Sequence, residues 1–174
     1  MAVGERFLVR FASMVYGGYT LGRLEDGRAA FVPYALPGEL ARVRLQDERS
    51  GYARGELLEL LEPSPQRISP RCRHFAACGG CHYQHLDIDR QLEVKTAVLR
   101  EQLAHLAGLP APPQLEAVPS TRAWYYRNHL RFHLSPEGRL GFKAFRSGRI
   151  MSIEECHLPE TELGELWPKL DPSG

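Results

Sequence analysis

Long apolar runs are missing from this chain, and with them any expectation of a membrane-spanning helix, which needs about eighteen such residues. The opening stretch, Met1 to Arg10, also lacks the apolar segment of a secretory signal. The expected compartment is therefore the cytoplasm, where thiols stay reduced. Cysteine is scarce, with four in 174 residues, and in that setting they are expected as metal ligands or free thiols before disulfides. Net charge is nearly absent too, at +1, so the total argues neither for nor against a nucleic-acid partner and the distribution must decide. Lysine is rare: three of the 22 basic residues are lysine and the rest are arginine, whose planar guanidinium suits phosphates and stacked bases better than an ammonium does. There is no internal repeat and no low-complexity tract. Hydrophobic residues at 43% and charged ones at 25% are the proportions of an ordinary globular protein and do not favour disorder.

What is present begins with short strands. Phe7, Val9 and Phe11 interleave with Leu8 and Arg10, while Ala41, Val43 and Leu45 interleave with Arg42, Arg44 and Gln46, giving a buried face and a wet basic one. Asp26-Gly27 predicts a hairpin turn between Thr20–Leu24 and Arg28–Val32. Several strands at short spacing over residues 1–62, with glycine-rich turns, predict a small barrel. The proline-rich run from Pro63 to Pro70 cannot continue a sheet and predicts a linker over 63–71. Asp87 or Asp89 is placed to cap a helix over about 87–107, with Ile88, Leu92, Leu99, Leu103 and Leu106 as its apolar stripe and Gly108 and Pro110 as its stop. A second proline-rich turn spans Pro110 to Pro119. Glu160 to Leu170 predicts a short helix, and Asp171-Pro172-Ser173-Gly174 a frayed end.

The strongest alternation in the chain lies between these helices. Trp124, Tyr126, Asn128, Leu130, Phe132 and Leu134 share one face of a predicted strand, and Tyr125, Arg127, His129, Arg131 and His133 the other. Pro136-Glu137-Gly138 turns the chain into a return strand carrying Leu140, Phe142 and Ala144, so that a hairpin is expected over about 123–146. From Arg122 to Arg149 the cations are Arg122, Arg127, Arg131, Arg139, Lys143, Arg146 and Arg149, against Glu137 alone: seven minus one, or +6. Cations neutralise phosphates and flat rings stack on unpaired bases, so this mixture suits single-stranded or looped RNA. Arg127, Arg131, Lys143 and Arg146 are the candidate RNA contacts. Trp124, Tyr126 and Phe132 are assigned to a core.

The cysteines, Cys72, Cys78, Cys81 and Cys156, form a C-x5-C-x2-C run plus one distant partner. Cys78-Gly79-Gly80-Cys81 is expected to bend tightly because glycine accepts backbone conformations that other residues resist. Four thiolates are what a [4Fe–4S] cluster requires. They would also serve a structural zinc, although zinc sites more often show two close ligand pairs. Spacing leaves both open, together with free thiols or a redox pair. Either metal centre would tie the segment from 81 to 156 shut. His74, His82 and His85 flank the run and are read as local packing groups or as groups bonded to the ligands, not as ligands.

A family resemblance runs through these segments. Tyr16-Gly17-Gly18-Tyr19-Thr20-Leu21-Gly22-Arg23, Asp26-Gly27-Arg28 and Phe31-Val32-Pro33-Tyr34-Ala35-Leu36-Pro37-Gly38-Glu39 resemble a TRAM domain, a small RNA-binding β-barrel. The cysteine run with Gln84-His85-Leu86, Gln91-Leu92 and Lys95 resembles the cluster segment of the RNA (uracil-5-)-methyltransferases. Tyr126-Arg127-Asn128, Gly141-Phe142-Lys143 and Ile153-Glu154-Glu155-Cys156 resemble the same family's central domain.

The resemblance implies a mainly β chain with some α: an OB-like TRAM barrel over 1–62, a linker over 63–71, and an α+β iron–sulfur and RNA-binding central domain over 72–174. It implies that Cys72, Cys78, Cys81 and Cys156 ligate a [4Fe–4S] cluster serving folding and RNA engagement rather than redox chemistry. The partner it implies is RNA, of the 23S ribosomal kind. Methylation in that family needs a cysteine thiolate adding to uracil C6, a base for the C5 proton, and S-adenosylmethionine. Here all four cysteines are assigned to the cluster, and no strand–glycine-loop–helix fingerprint for the cofactor occurs. The Rossmann-like catalytic domain is therefore expected to be absent, with S-adenosylmethionine bound only in the intact enzyme and this portion inactive alone.

Two other readings start from the same residues. One is a free-standing TRAM module stabilised by zinc or a cluster. The other is a relative of the radical S-adenosylmethionine methylthiotransferases, which also join TRAM to a cluster. Their motif is C-x3-C-x2-C, however, and the first gap here is five.

Overall fold

The alternating apolar positions of the first sixty residues become five strands in the computed structural model, which describes residues 4–113 and 116–170. These are β1 (Arg6–Val15), β2 (Tyr19–Arg23), β3 (Ala29–Pro33), β4 (Leu40–Glu48) and β5 (Tyr52–Glu62). They close into a barrel in the order β1-β2-β3-β5-β4, with β3 and β5 parallel and the other pairs antiparallel. Five strands closed in this way form the expected OB-like architecture, and closure leaves no open sheet edge. The register sets Phe7 opposite Val43 and Val9 opposite Ala41, so that Val9, Phe11, Val32, Ala41, Val43 and Leu45 point into one core. Arg42 and Arg44 point outward and pair with Glu59 and Glu56. The predicted turn is present: Gly27 takes φ +86°, a left-handed conformation that suits glycine, and donates to the Leu24 carbonyl at 2.9 Å.

By its contacts the chain divides into two compact units, Met1–Ile68 with His85–Ala117, and Ser69–Gln84 with Val118–Gly174. The helix α1 (Ile88–His105) thus groups with the barrel, where the sequence joined it to the cysteine-bearing domain. Asp87 caps it as expected, its side chain accepting from the Arg90 N–H at 2.9 Å. The expected apolar stripe is not its buried face. Leu99 is 48% exposed and Leu106 80%, and Val98 is the buried residue. Which stripe faces inward depends on the surface met, and a helix touching the outside of a closed barrel at β1 buries only a narrow line.

The expected linker is also anchored in part. The Glu39 carboxylate, fully buried, accepts from the Leu36 and Ser64 N–H groups at 2.7 and 3.0 Å and from Arg67 Nε and Nη2, both at 2.7 Å. Arg67 Nη2 also donates to the Tyr34 carbonyl at 2.8 Å. Residues 64–67 are held against the barrel by a charged, bidentate bond rather than left as a free tether.

In the second unit β6 (His133–Leu134), β7 (Leu140–Lys143) and β8 (Ile150–Ser152) form an antiparallel meander. The turn between β6 and β7 is the expected one, with the Ser135 N–H bonded to the Arg139 carbonyl at 2.8 Å. The long strand expected from Trp124 is reduced to its last two residues. Tyr125 takes a left-handed φ of 55°, which breaks the pleat. The N–H groups of Tyr125, Tyr126 and Arg127 bond to the carbonyls of His157 and Leu158 instead, at 2.8–3.0 Å. Of the three aromatics assigned to a core, Phe132 is packed, stacked on Phe142 at 5.0 Å and tilted against the buried Trp167 at 5.3 Å. Tyr126 is 49% exposed, a correction that follows from the lost alternation. The helix α2 (Thr161–Leu166) and a 3-10 turn, Trp167–Lys169, occupy the predicted helical end. Asp171 to Gly174 lie outside the described residues.

Candidate metal centre

Cys72, Cys78, Cys81 and Cys156 all line one cavity. Three separate stretches supply them, and each is held by specific bonds. Cys72 lies beside Arg73, whose backbone N–H donates to Glu155 Oε1 at 2.8 Å and whose Nη1 donates to Glu154 at 3.0 Å. The Cys72 N–H itself donates to Gln84 Oε1 at 3.1 Å. His74 Nε2 accepts from the Glu154 N–H at 3.3 Å. These bonds bring the segment around Cys156 to the first of the clustered cysteines.

The Cys78–Cys81 loop sits on the end of the meander. The Gly79 N–H donates to the Lys143 carbonyl at 3.0 Å, and the Phe145 N–H donates to the Ala77 carbonyl at 2.8 Å. A Cβ on Gly79 would stand 3.2 Å from that Lys143 oxygen. Close approach, not an unusual φ, is therefore what this glycine provides. The left-handed residue here is Ala76, two positions before the loop, at φ 69°.

Burial is the largest influence on every one of the four thiols and pushes each above its ordinary value. Mutual repulsion adds to this, since Cys156 senses Cys81, Cys72 and Cys78. Against it, each sulfur has a polar group that favours its thiolate: the backbone of His74 and Phe75 at Cys72, of Gly80 at Cys78 and of Leu158 at Cys156, and the Gln84 side chain at Cys81. Arg127 also lines the cavity and favours the Cys81 thiolate by its charge. Four half-buried thiols lining one cavity, with the Gly80 N–H donating to the Cys78 sulfur at 3.4 Å and the Arg127 guanidinium in the same lining, are a donor set of the kind an anionic sulfur-bound centre uses. The four cysteines form no disulfide. Among the described residues no group of three or more His, Cys, Asp or Glu side chains that could hold a metal ion is found.

The candidate RNA contacts fall in different settings. All four are exposed: Arg127 at the lining of the cavity, and Arg131, Lys143 and Arg146 in or beside the strands of the meander. His82 packs edge-on against Phe145 at 5.8 Å, and His85 is buried in the barrel unit. Gln84 and Glu155 stood in the motifs that carry the resemblance but were given no role of their own, and Arg73, next to Cys72, was not singled out; the structure bonds Arg73 to Glu155 and the Cys72 N–H to Gln84. Among the described residues no helix is long and apolar enough to cross a membrane.

Residues 2–58 match the TRAM domain family. The chain is 38% identical over 151 residues to the 23S rRNA (uracil(1939)-C(5))-methyltransferase RlmD of Acinetobacter baylyi, covering 84% of this chain and 33% of that protein. It is 37% identical over 172 residues to RlmD of Alkalilimnicola ehrlichii, covering 95% and 38%. Among solved structures it resembles the Pyrococcus abyssi tRNA (uracil-54, C5)-methyltransferase in complex with S-adenosyl-L-homocysteine, with a TM-score of 0.63, 25% identity, and coverage of 90% of this chain and 34% of that one. The chain spans about a third of the length of the curated relatives it matches. It carries a TRAM domain and is homologous, over most of its length, to the N-terminal part of the RNA uracil-C5 methyltransferases.

Proposed function

We propose that this chain is the RNA-holding, [4Fe–4S]-bearing portion of a cytoplasmic RNA uracil-C5 methyltransferase acting on 23S ribosomal RNA. In that reading it positions the RNA for a C-terminal, S-adenosylmethionine-binding catalytic domain. The observation that carries the cluster is the convergence of Cys72, Cys78, Cys81 and Cys156 on one cavity with a thiolate-favouring group at each. The similarity to the RlmD proteins supports the ribosomal substrate.

The four cysteines would hold the cluster, and its contribution when bound is to cross-link three stretches of chain. Arg127 offsets part of its negative charge. Arg131, Lys143 and Arg146 neutralise RNA phosphates from the exposed meander. With every thiol here committed to the cluster, the thiolate that adds to uracil C6 belongs to the catalytic domain of the intact enzyme, as does the cofactor site. The target base must leave its stack to reach that domain. A structural zinc would draw on the same thiolates, but with Zn–S near 2.3 Å it would hold its sulfurs within about 4 Å of one another. Both centres would draw on the same cavity lining, and metal analysis separates them.

Anaerobic purification followed by iron, sulfide and zinc analysis tests this. About four irons per chain with broad visible absorption, both lost in Cys156→Ser, are expected. One zinc per chain, or no metal in a protein that still binds RNA fully, would overturn the cluster.

A further inference from the structure

Arg71, Trp124 and Tyr125 form a cation–aromatic stack that the cysteine cavity does not use. The Arg71 guanidinium lies 5.5 Å from the Trp124 ring centroid and 5.2 Å from that of Tyr125. Its Nη2 donates to the Tyr125 hydroxyl at 2.7 Å. His157 meets both rings edge-on, at 6.1 and 6.3 Å. The rings are thus set in orientation from two sides.

Tyr125 is held there against its backbone preference. A φ of 55° is uncommon for a ring-bearing residue and is maintained by its N–H bond to the His157 carbonyl at 2.9 Å. Strain of that kind serves a core when the ring is buried. Here the ring is 38% exposed, and Arg71 above it is exposed as well. A rigid, solvent-facing aromatic surface next to a segment of charge +6 has the composition of a nucleic-acid surface rather than of a packing surface.

We propose that Arg71, Trp124 and Tyr125 are a stacking platform for an unpaired base of single-stranded RNA. The proposal rests on the reading of this chain as an RNA-binding protein and adds the subsite that reads single-strandedness. Arg71 already supplies the cation over these rings, so a second cation is repelled, whereas a flat base with a phosphate behind it is attracted by both components. Rings and guanidinium planes stack on any base, and a base inside a duplex has no free face to offer.

The test uses the whole 174-residue chain with a single-stranded oligoadenylate RNA and a duplex RNA of equal length. Trp124 is the internal reporter, since the other tryptophan, Trp167, is buried. Quenching of tryptophan emission by the single strand is expected. Tyr125→Gly removes the ring while suiting the left-handed backbone, and Arg71→Ala changes an exposed residue, so neither endangers the fold. Each should weaken single-strand binding by about 5- to 100-fold, as loss of one stacked base does, and leave duplex binding within about twofold. Tyr125→Phe, which keeps the ring, should stay within about threefold of wild type. Equal losses for single strand and duplex, or variants that bind the single strand as wild type does, would overturn the platform while leaving RNA binding intact. A wild-type chain that binds neither RNA would instead remove the reading beneath it.

Discussion

The backbone N–H of Arg73 donates to Glu155 Oε1 at 2.8 Å across 82 residues of chain, and each residue of the pair is the immediate neighbour of a cysteine, Cys72 and Cys156. This bond joins the distant thiol to the clustered three. The carboxylate that makes it also opposes ionisation of Cys72 by its charge. Glu155→Gln keeps the acceptor and removes the charge, so the proposed cluster should be retained. Glu155→Ala removes the acceptor and should lower cluster retention about tenfold, as loss of an outer partner typically does. Iron per chain and cluster lifetime under chelator measure both, and equal retention in the two variants would refute the anchoring role.

Glu39 and Arg67 are coupled in the barrel unit, the carboxylate fully buried and the guanidinium largely so. Glu39→Ala would leave Arg67 and two backbone N–H groups without their acceptor, a loss of about 3–5 kcal/mol. Urea denaturation followed by circular dichroism reads it. The Glu39→Ala/Arg67→Ala double variant should be less destabilised than the sum of the singles, and strict additivity would mean that the pair is not coupled.

Stability should also fall with acid before the carboxylates protonate. Burial first, and the charge of Arg67 second, push the buried His85 imidazole down from its ordinary 6.5 to about 4, against the opposing pull of the Ala35 backbone and Glu39. Between those values the unfolded chain takes up a proton at this position and the folded one does not. The contribution is therefore complete above pH 6.5 and is lost as pH falls to about 4, on the order of 3 kcal/mol in all. Burial raises the Glu39 pKa, but the bonds from Arg67, Ser64 and Leu36 outweigh it and hold the group below 4.5, so its own contribution disappears only at still lower pH. His85→Asn should flatten the upper part of a stability–pH curve and keep the acid limb. An unchanged slope above pH 4.5 would contradict this account.

Arg131 and Lys143, exposed on the meander, are expected to act on phosphates rather than bases. Arg131→Ala and Lys143→Ala should each weaken RNA binding similarly across sequences and reduce the slope of log affinity against log salt by about one. Titrations at several salt concentrations test it. Loss confined to one RNA sequence, with the slope unchanged, would point to base reading instead.

The barrel was legible in the chain because its pattern has one meaning: a period of two at Phe7–Phe11 and Ala41–Leu45 can bury one face only if the strands pair in that register. The Asp26-Gly27 turn and the Asp87 cap were legible for a similar reason, since each is a local hydrogen-bonding device that acts within three or four residues. The same logic misread Trp124 to Phe132. The alternation there is genuine, but a left-handed Tyr125 and pairing with the carbonyls of His157 and Leu158 depend on a partner more than thirty residues away.

The amino-acid order by itself therefore determined the closed barrel, the capped helix, four candidate ligands and a concentration of positive charge between Arg122 and Arg149, all of which follow from short-range periodicity, capping and composition. Tertiary structure alone decided that Val98 faces inward, that residues 64–67 are held on the barrel through Glu39, that Gly79 is small because a carbonyl passes beside it, and that Tyr125 and Tyr126 remain exposed. Those outcomes turn on which surfaces meet, and a contact across 82 residues leaves no periodic trace along the chain.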